Sequence, residues 1–291
     1  MSAGTSPPPP LTVGESLRLG AAYLAERGIT SARLEADLIL AHVLGLTRLQ
    51  LYLAFERPLT GDERARARAL MARRAKREPL AYLTGERECF SLALEITPDV
   101  FIPCAETELL IETVIDLDRK GEIPGGEILD IGTGSGCIAV ALAKWLPGRR
   151  FVATDVSAKA IEVAKRNASR HGISERVTFL EGDLNAGRTG PFAAVVSNPP
   201  YVADSDRSSL APEVLAEPPE ALFAGPDGLE VIRRIIAAAP EILTPGGRLL
   251  LEVGLGQADA VGSLMNAAGL VEIQRLRDLA GVERAVIGKR C

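Results

Sequence analysis

Glu127-Ile128-Leu129-Asp130-Ile131-Gly132-Thr133-Gly134-Ser135-Gly136-Cys137 reads as a short apolar strand, a turn with glycine at alternate positions, and the first residue of an apolar helix. Glycine lets the backbone reverse sharply and leaves room for a ligand against it. The helix N-terminus beyond adds backbone N–H donors without intrahelical partners. A dinucleotide-binding turn, G-x-G-x-x-G/A, would need Gly or Ala at 137, where Cys137 stands. The spacing here is G-x-G-x-G behind an acid at 130. A plain tight turn without a ligand is the alternative.

Outward from this turn the chain alternates in type. A helix over 106–118 precedes the strand 127–131. Then come helix 137–146, strand 150–154, helix 157–171 closed by Gly172, strands 177–181 and 193–197, a long loop, helix 229–243, strand 248–253, helix 257–268, and strands 271–275 and 284–288. Alternation of this kind predicts an α/β, doubly wound, mostly parallel sheet of seven strands, the last two an antiparallel pair. Upstream, residues 11–80 are helical throughout. Leu17, Ala21 and Leu24 recur until Gly28. Ser31 stands as an N-cap before a stripe of Leu34, Leu38, Ile39, His42 and Val43 that ends at Gly45. A short third helix covers 49–55, and a fourth starts near Thr60 with Arg64, Arg66, Arg68, Arg73, Arg74, Lys76 and Arg77 along it. The expected layout is a disordered, proline-rich tail (1–10), a small N-terminal helical bundle (11–80), a hairpin or linker (81–102) and the α/β domain (103–291).

Composition narrows the function. The chain has 291 residues with 47% hydrophobic and 24% charged, enough for a buried core. No apolar run reaches the ~18 residues of a membrane span, and residues 1–10 resemble neither a signal nor a transit peptide. Cys89, Cys104, Cys137 and Cys291 are scattered without a CxxC pair, and His42 and His171 are the only histidines. We therefore expect no metal site, no disulfide framework and a reducing, cytoplasmic setting. Residues 1–85 carry 12 Lys/Arg and 8 Asp/Glu, a net +4, which leaves −9 for the rest of a chain of net −5. A net acidic second part is not an evident nucleic-acid binder.

Two further motifs carry chemistry. Asp155 lies 155 − 136 = 19 residues past the last glycine, at the end of the next strand, where a carboxylate can accept hydrogen bonds from both hydroxyls of a ribose. In isolation Asp155 reads equally well as a helix-capping acid. Asp183 and Leu184, after the following strand, are placed to approach an adenine ring. Asn198-Pro199-Pro200-Tyr201 follows the apolar strand 193–197 directly. An amide or exocyclic amine nitrogen has its lone pair delocalised, so it needs acceptors on its N–H groups more than a strong base. The Asn198 side-chain oxygen and the Pro199 carbonyl supply two such acceptors. Pro199 and Pro200 stiffen the turn, and Tyr201 offers a flat face to a planar group. A merely rigid Asn-Pro loop is the alternative.

Together, the turn from Asp130 through Gly132, Thr133, Gly134, Ser135 and Gly136, the distal Asp155 and the NPPY tetrad resemble the amino methyltransferases, whose cofactor is S-adenosyl-L-methionine. Within that group the resemblance to the protein-(glutamine-N5) methyltransferases of peptide chain release factors, the PrmC/HemK family, covers nearly the whole chain. Tyr82-Leu-Thr-Gly-Glu-Arg87, Ile102-Pro103, Glu217-Pro218, Ala221-Leu222, Asp227-Gly228-Leu229 and Arg277-Asp278-Leu279-Ala280-Gly281 carry it. The resemblance implies a Rossmann-like methyltransferase sheet and a cofactor pocket formed by Asp130, the glycine turn, Asp155, Asp183, Leu184 and Asn198. It also implies the glutamine of a release factor's Gly-Gly-Gln loop as substrate, recognised through the helical bundle, with no direct nucleic-acid or membrane partner. The sequence departs from the family after Ile-Pro: Cys104-Ala105 stand where Arg-Pro is usual. Adenine-N6 or cytosine-N4 DNA and RNA methyltransferases share NPPY and are the nearest alternative. A catalytically impaired binding homologue is the other.

Overall fold

The structure, a computed structural model, describes residues 11–291, so the expected disordered tail lies outside the described residues. The chain divides into two units between Gly85 and Glu86.

The first unit holds α1 (Val13–Ala25), α2 (Ala32–Leu44), α3 (Arg48–Leu53), α4 (Gly61–Arg74) and α5 (Leu80–Thr84). Its helix starts are written in the sequence. Thr12 with Glu15, Thr47 with Gln50, and Thr60 with Glu63 each form a reciprocal capping box at the head of α1, α3 and α4. Ser31 does stand at the N-cap of α2, but its side chain makes no capping hydrogen bond. The face of α2 also differs from expectation. Ile39 and Val43 are buried as expected, whereas Leu34 is 42% exposed and His42 is exposed. Ala32, Ala36 and Leu40 turn inward instead. Alanine carries little hydropathy, so a stripe traced on the leucines is rotated from the face that small residues let pack closely.

Two more expectations are corrected. Residues 80–84, placed at the start of an extended linker, form α5, which Gly85 ends at φ 75°. The basic run expected along the fourth helix is not one free face, and α4 ends at Arg74, before Lys76 and Arg77. Arg74 is 6% exposed and ion-paired with Glu35, Arg73 pairs with Glu78, and Arg77 donates to the Gly28 carbonyl. Arg64, Arg66, Arg68 and Lys76 remain exposed.

The second unit opens with an antiparallel hairpin of β1 (Glu86–Cys89) and β2 (Leu92–Glu95), then α6 (Ala105–Arg119). The alternation follows: β3 (Ile128–Ile131), α7 (Cys137–Trp145), β4 (Phe151–Asp155), α8 (Ala158–Arg170), β5 (Val177–Glu181), β6 (Phe192–Ser197), α9 (Glu230–Ile242), β7 (Leu243–Glu252), α10 (Ala258–Ala267), β8 (Leu270–Arg277) and β9 (Glu283–Arg290). The seven-stranded sheet has the order β5-β4-β3-β6-β7-β9-β8. Its first five strands are parallel, and β9 runs antiparallel to both neighbours. Strands covered on both faces must be apolar along their length, and β3 and the 193–196 stretch of β6 are buried throughout. One covering layer is α9, whose Ile232, Ile235 and Ile236 pack on Leu129, Val195, Leu249 and Leu251. The strand order reverses between β3 and β6. A crevice opens beyond the carboxyl ends of strands at such a reversal, which is where ligands bind in open α/β sheets.

The cysteines also correct an expectation. Cys89, ending β1, and Cys137, opening α7, are joined as a disulfide with Cα atoms 6.6 Å apart. A separation of 48 residues gives no sign of this; the fold-back of the hairpin onto α7 creates it. Among the described residues no helix is long and apolar enough to cross a membrane.

Candidate active site

The glycine turn between β3 and α7 is held from beneath. Gly132 and Thr133 donate their N–H groups to the Thr154 carbonyl, both at 2.9 Å, and Gly134 donates to Asp155 Oδ2 at 2.9 Å. All three glycines have positive φ, but they do different work. A Cβ on Gly132 or Gly134 would meet nothing within 4 Å, so this backbone faces open space that a ligand can occupy. A Cβ on Gly136 would lie 3.1 Å from Ala164 and Val140, so that glycine permits close helix packing. Asn167 of α8 adds a brace that the sequence reading missed: its Nδ2 donates to the Ser135 carbonyl at 2.8 Å.

The two acids of the turn sit differently. Asp130 is 1% exposed, and its Oδ2 accepts from the Thr133 hydroxyl at 2.7 Å and the Ala139 N–H at 3.1 Å. Its Oδ1 has no partner among the described residues, and neither does Ser135 Oγ. Burial, more than the neighbouring Asp155 charge, pushes the Asp130 carboxyl up to about 7. Asp155 is half-buried and accepts from Gly134 and Ser157 N–H groups, one on each oxygen, so each oxygen keeps a lone pair. Burial also raises its pKa. Asp183 is exposed and ion-paired with Arg234 of α9. Leu184 is half-buried beside the core, and its carbonyl accepts from the Thr154 hydroxyl at 2.5 Å. Asp183 and Leu184 thus flank the carboxyl end of β4 beside Asp155.

The NPPY tetrad leaves the carboxyl end of β6. Ser197 Oγ donates to the Ile131 carbonyl at 2.7 Å, which ties that end to β3 and brings the tetrad beside the glycine turn. Asn198 Nδ2 donates to Thr107 Oγ1 of α6 at 3.0 Å. Among the described residues nothing donates to Asn198 Oδ1 or to the Pro199 carbonyl. The tetrad is clamped behind. Gln257 Nε2 donates to the Tyr201 carbonyl at 2.9 Å, and Val202 exchanges backbone hydrogen bonds with Leu222 and Ala224. Gly228 has φ 71°, and a Cβ there would lie 2.2 Å from the Tyr201 carbonyl oxygen, so only glycine permits this approach. Tyr201 packs on the sheet core, with its hydroxyl 3.5 Å from Glu252 Oε1; burial and the Glu252 charge raise its pKa.

Behind Asn198 lies a group the sequence reading did not single out. Glu252, 1% exposed at the end of β7, accepts from Thr107 Oγ1 at 2.8 Å. Burial pushes its carboxyl up to about 7. Glu217, in the loop after the tetrad, accepts from the Ile102 N–H at 2.8 Å and is likewise raised to about 7 by burial. Cys104, at the N-cap of α6, has its thiol pushed up to about 12 by burial and then by the Glu252 charge. One sign was available: Glu252 interrupts the apolar run Leu249-Leu250-Leu251-Glu252-Val253. Among the described residues no group of three or more His, Cys, Asp or Glu could hold a metal ion.

Comparison with known proteins bears on both units. Residues 15–85 match the family described as the PrmC N-terminal domain, and residues 105–228 match the methyltransferase small domain. The release factor glutamine methyltransferase of Geobacter sulfurreducens is 44% identical over 98% of this chain and 99% of its own length. That of Burkholderia pseudomallei is 43% identical over 98% of both. Among solved structures, the hMettl16 catalytic domain in complex with a 3′UTR hairpin aligns at a TM-score of 0.56 and 19% identity, covering 75% of this chain and 81% of that one. The T. thermophilus 16S rRNA methyltransferase RsmC, in complex with AdoMet and guanosine, aligns at 0.52 and 18%, covering 71% and 50%. At such identities these two speak for the fold alone, a Rossmann-like methyltransferase sheet. The near-full-length likeness to the curated enzymes decides the family: the chain belongs to the release factor glutamine methyltransferases.

Proposed function

We propose that this enzyme moves the methyl group of S-adenosylmethionine to the side-chain amide nitrogen of a glutamine, the one in the Gly-Gly-Gln loop of a peptide chain release factor. The observation that carries the reading is the pair of open acceptors, Asn198 Oδ1 and the Pro199 carbonyl, at the strand-order reversal beside the glycine turn. A primary amide has two N–H groups in one plane, and two acceptors can hold both while turning the nitrogen face toward an electrophile. As positive charge develops on that nitrogen, the same acceptors stabilise it.

The turn suits this cofactor. Gly132 and Gly134 leave its backbone open, Asp155 keeps lone pairs for ribose hydroxyls, and Asp130 holds a buried oxygen without a partner. Two neighbouring carboxylates favour a cofactor with a cationic part and oppose a pyrophosphate. When bound, S-adenosylmethionine supplies an electrophilic methyl on a sulfonium. Asp183 and Leu184 supply the edge facing the adenine in this reading. The helical unit, residues 11–85, selects the protein partner, because a single glutamine is too small a feature for NPPY to select alone. Release factors work in the cytoplasm, and the enzyme acts there.

The test is mass spectrometry after incubation with methyl-labelled cofactor and three acceptors: intact release factor, a Gly-Gly-Gln peptide and duplex DNA. Label on the glutamine is expected; label on DNA alone overturns the substrate assignment. Asn198→Ala should lower turnover ~10²-fold or more while cofactor binding persists, as for loss of one preorganised polar group.

A further inference from the structure

We propose that Thr107 and Glu252 are positioning residues: their hydrogen-bonded chain sets the orientation of the Asn198 amide and so presents Oδ1, not Nδ2, to the substrate nitrogen. The inference rests on the reading of Asn198 as the acceptor and assigns what keeps it one. A side-chain amide has a donor end and an acceptor end of nearly equal size. Turned over by 180°, Asn198 would offer N–H groups to a substrate that also offers N–H groups, and the nitrogen would not be held.

Hydrogen counting removes that orientation. A threonine hydroxyl has one proton and two lone pairs. Once Glu252 is ionised, above its raised value of about 7, Thr107 Oγ1 gives its proton to Glu252 Oε2 at 2.8 Å, so it can only accept from Asn198, and Nδ2 donates to it at 3.0 Å. The remaining lone pair faces Cys104 Sγ at 3.8 Å, a thiol that burial keeps protonated. Ionised Glu252 therefore polarises the whole chain in one direction, from Asn198 through Thr107 to the carboxylate. The groups that face Glu252 are Glu106 of α6, Tyr201 after the tetrad and Arg284 of β9; Arg284 also lies 3.6 Å from Glu106. Residues 107 and 252 come from α6 and β7, and Asn198 follows β6, so three elements must meet to set one amide. An Asn whose Nδ2 is already held by Thr107, with Oδ1 left open, needs no reorientation when the substrate arrives.

The test compares Thr107→Val and Thr107→Ser in the parent and in an Asn198→Ala background, reading kcat, KM, cofactor affinity by calorimetry and melting temperature. Valine keeps the shape and removes the hydroxyl; serine keeps the hydroxyl. In the parent, Thr107→Val should lower kcat ~10-fold or more with cofactor affinity unchanged, and Thr107→Ser should recover most of it. In the Asn198→Ala background the same valine should change kcat less than ~2-fold, because a residue acting through Asn198 has nothing left to orient. Parental kcat in Thr107→Val, equal loss in valine and serine, or losses that multiply with Asn198→Ala each overturn the proposal. Near-parental activity of Asn198→Ala alone would instead sink the acceptor reading beneath it.

Discussion

Gly134 and Asp155, 21 residues apart in sequence, are joined by a 2.9 Å hydrogen bond from the glycine N–H to the aspartate Oδ2. The acid at the end of β4 thus braces the very turn it is proposed to serve. Its other oxygen holds the Ser157 N–H at the head of α8. Substituting it removes the proposed ribose acceptor and an observed loop support together.

Asp155→Ala is expected to weaken S-adenosylmethionine binding by ~1–3 kcal/mol, the range for losing a charged hydrogen-bond acceptor. Titration calorimetry checks it, and unchanged affinity would remove Asp155 from the ribose role. NADH in the same cell should give no heat of binding; tight binding there would contradict the cofactor assignment.

Ala105→Pro should stabilise the protein by ~0.4–1 kcal/mol, through a less flexible unfolded chain. Ala105 is the first residue of α6, the position where proline is favoured. Cys104 before it already has φ −105° and ψ 165°, the extended region a residue before proline needs. Adding Cys104→Arg returns the family's Arg-Pro and places a cation near Glu252, Glu106 and Glu217, whose charges all act on Cys104. The double variant should equal or exceed the parent in turnover. A lower urea midpoint for Ala105→Pro, or slower methylation by the pair, would mark Cys104-Ala105 as suited to this chain.

Glu252 makes a pH dependence with a definite sign. Its folded-state carboxyl is raised from 4.5 to about 7, so the folded protein holds this proton more tightly than the unfolded chain. Stability from this group is full below the unfolded value, falls as pH climbs through that window, and is flat above it. Glu252→Gln removes the ionisation. Relative to the parent, the variant should gain ~1–3 kcal/mol between pH 5 and pH 8, the linkage expected for a shift of this size. Urea melts at the two pH values check it; a gap of the opposite sign would mean that Glu252 is stabilised as the anion.

Removal of residues 1–85 should abolish methylation of intact release factor while sparing a Gly-Gly-Gln peptide. Reversing Arg64, Arg66, Arg68 and Lys76 to glutamate should raise KM for the intact partner and lose its effect as salt shortens the ~10 Å screening length. Equal losses on protein and peptide would mean that the helical unit only supports the α/β fold.

Much of this architecture was legible locally. The strand and helix periods, the glycines after β3 and the Thr-x-x-Glu/Gln caps each depend on residues within one turn or one pleat of each other. So the seven-stranded sheet and the starts of α1, α3 and α4 could be read from neighbours alone. NPPY was legible for the same reason: the residues proposed to hold the chemistry are four adjacent ones. What local pattern could not decide was which face small residues would turn inward on α2, where Ala36 is buried and Leu34 is not. Nor could it show that Arg74 would be spent on Glu35, 39 residues away. The disulfide of Cys89 with Cys137 and the chain from Asn198 to Thr107 to Glu252 span 48, 91 and 145 residues. Such contacts exist only once β3, β6 and β7 lie side by side and α6 packs at their carboxyl ends. The sequence by itself determined the fold and the NPPY tetrad in which we propose the acceptor; only the tertiary structure brought Thr107 and Glu252 to the Asn198 amide, because those partners lie on elements far apart in the chain.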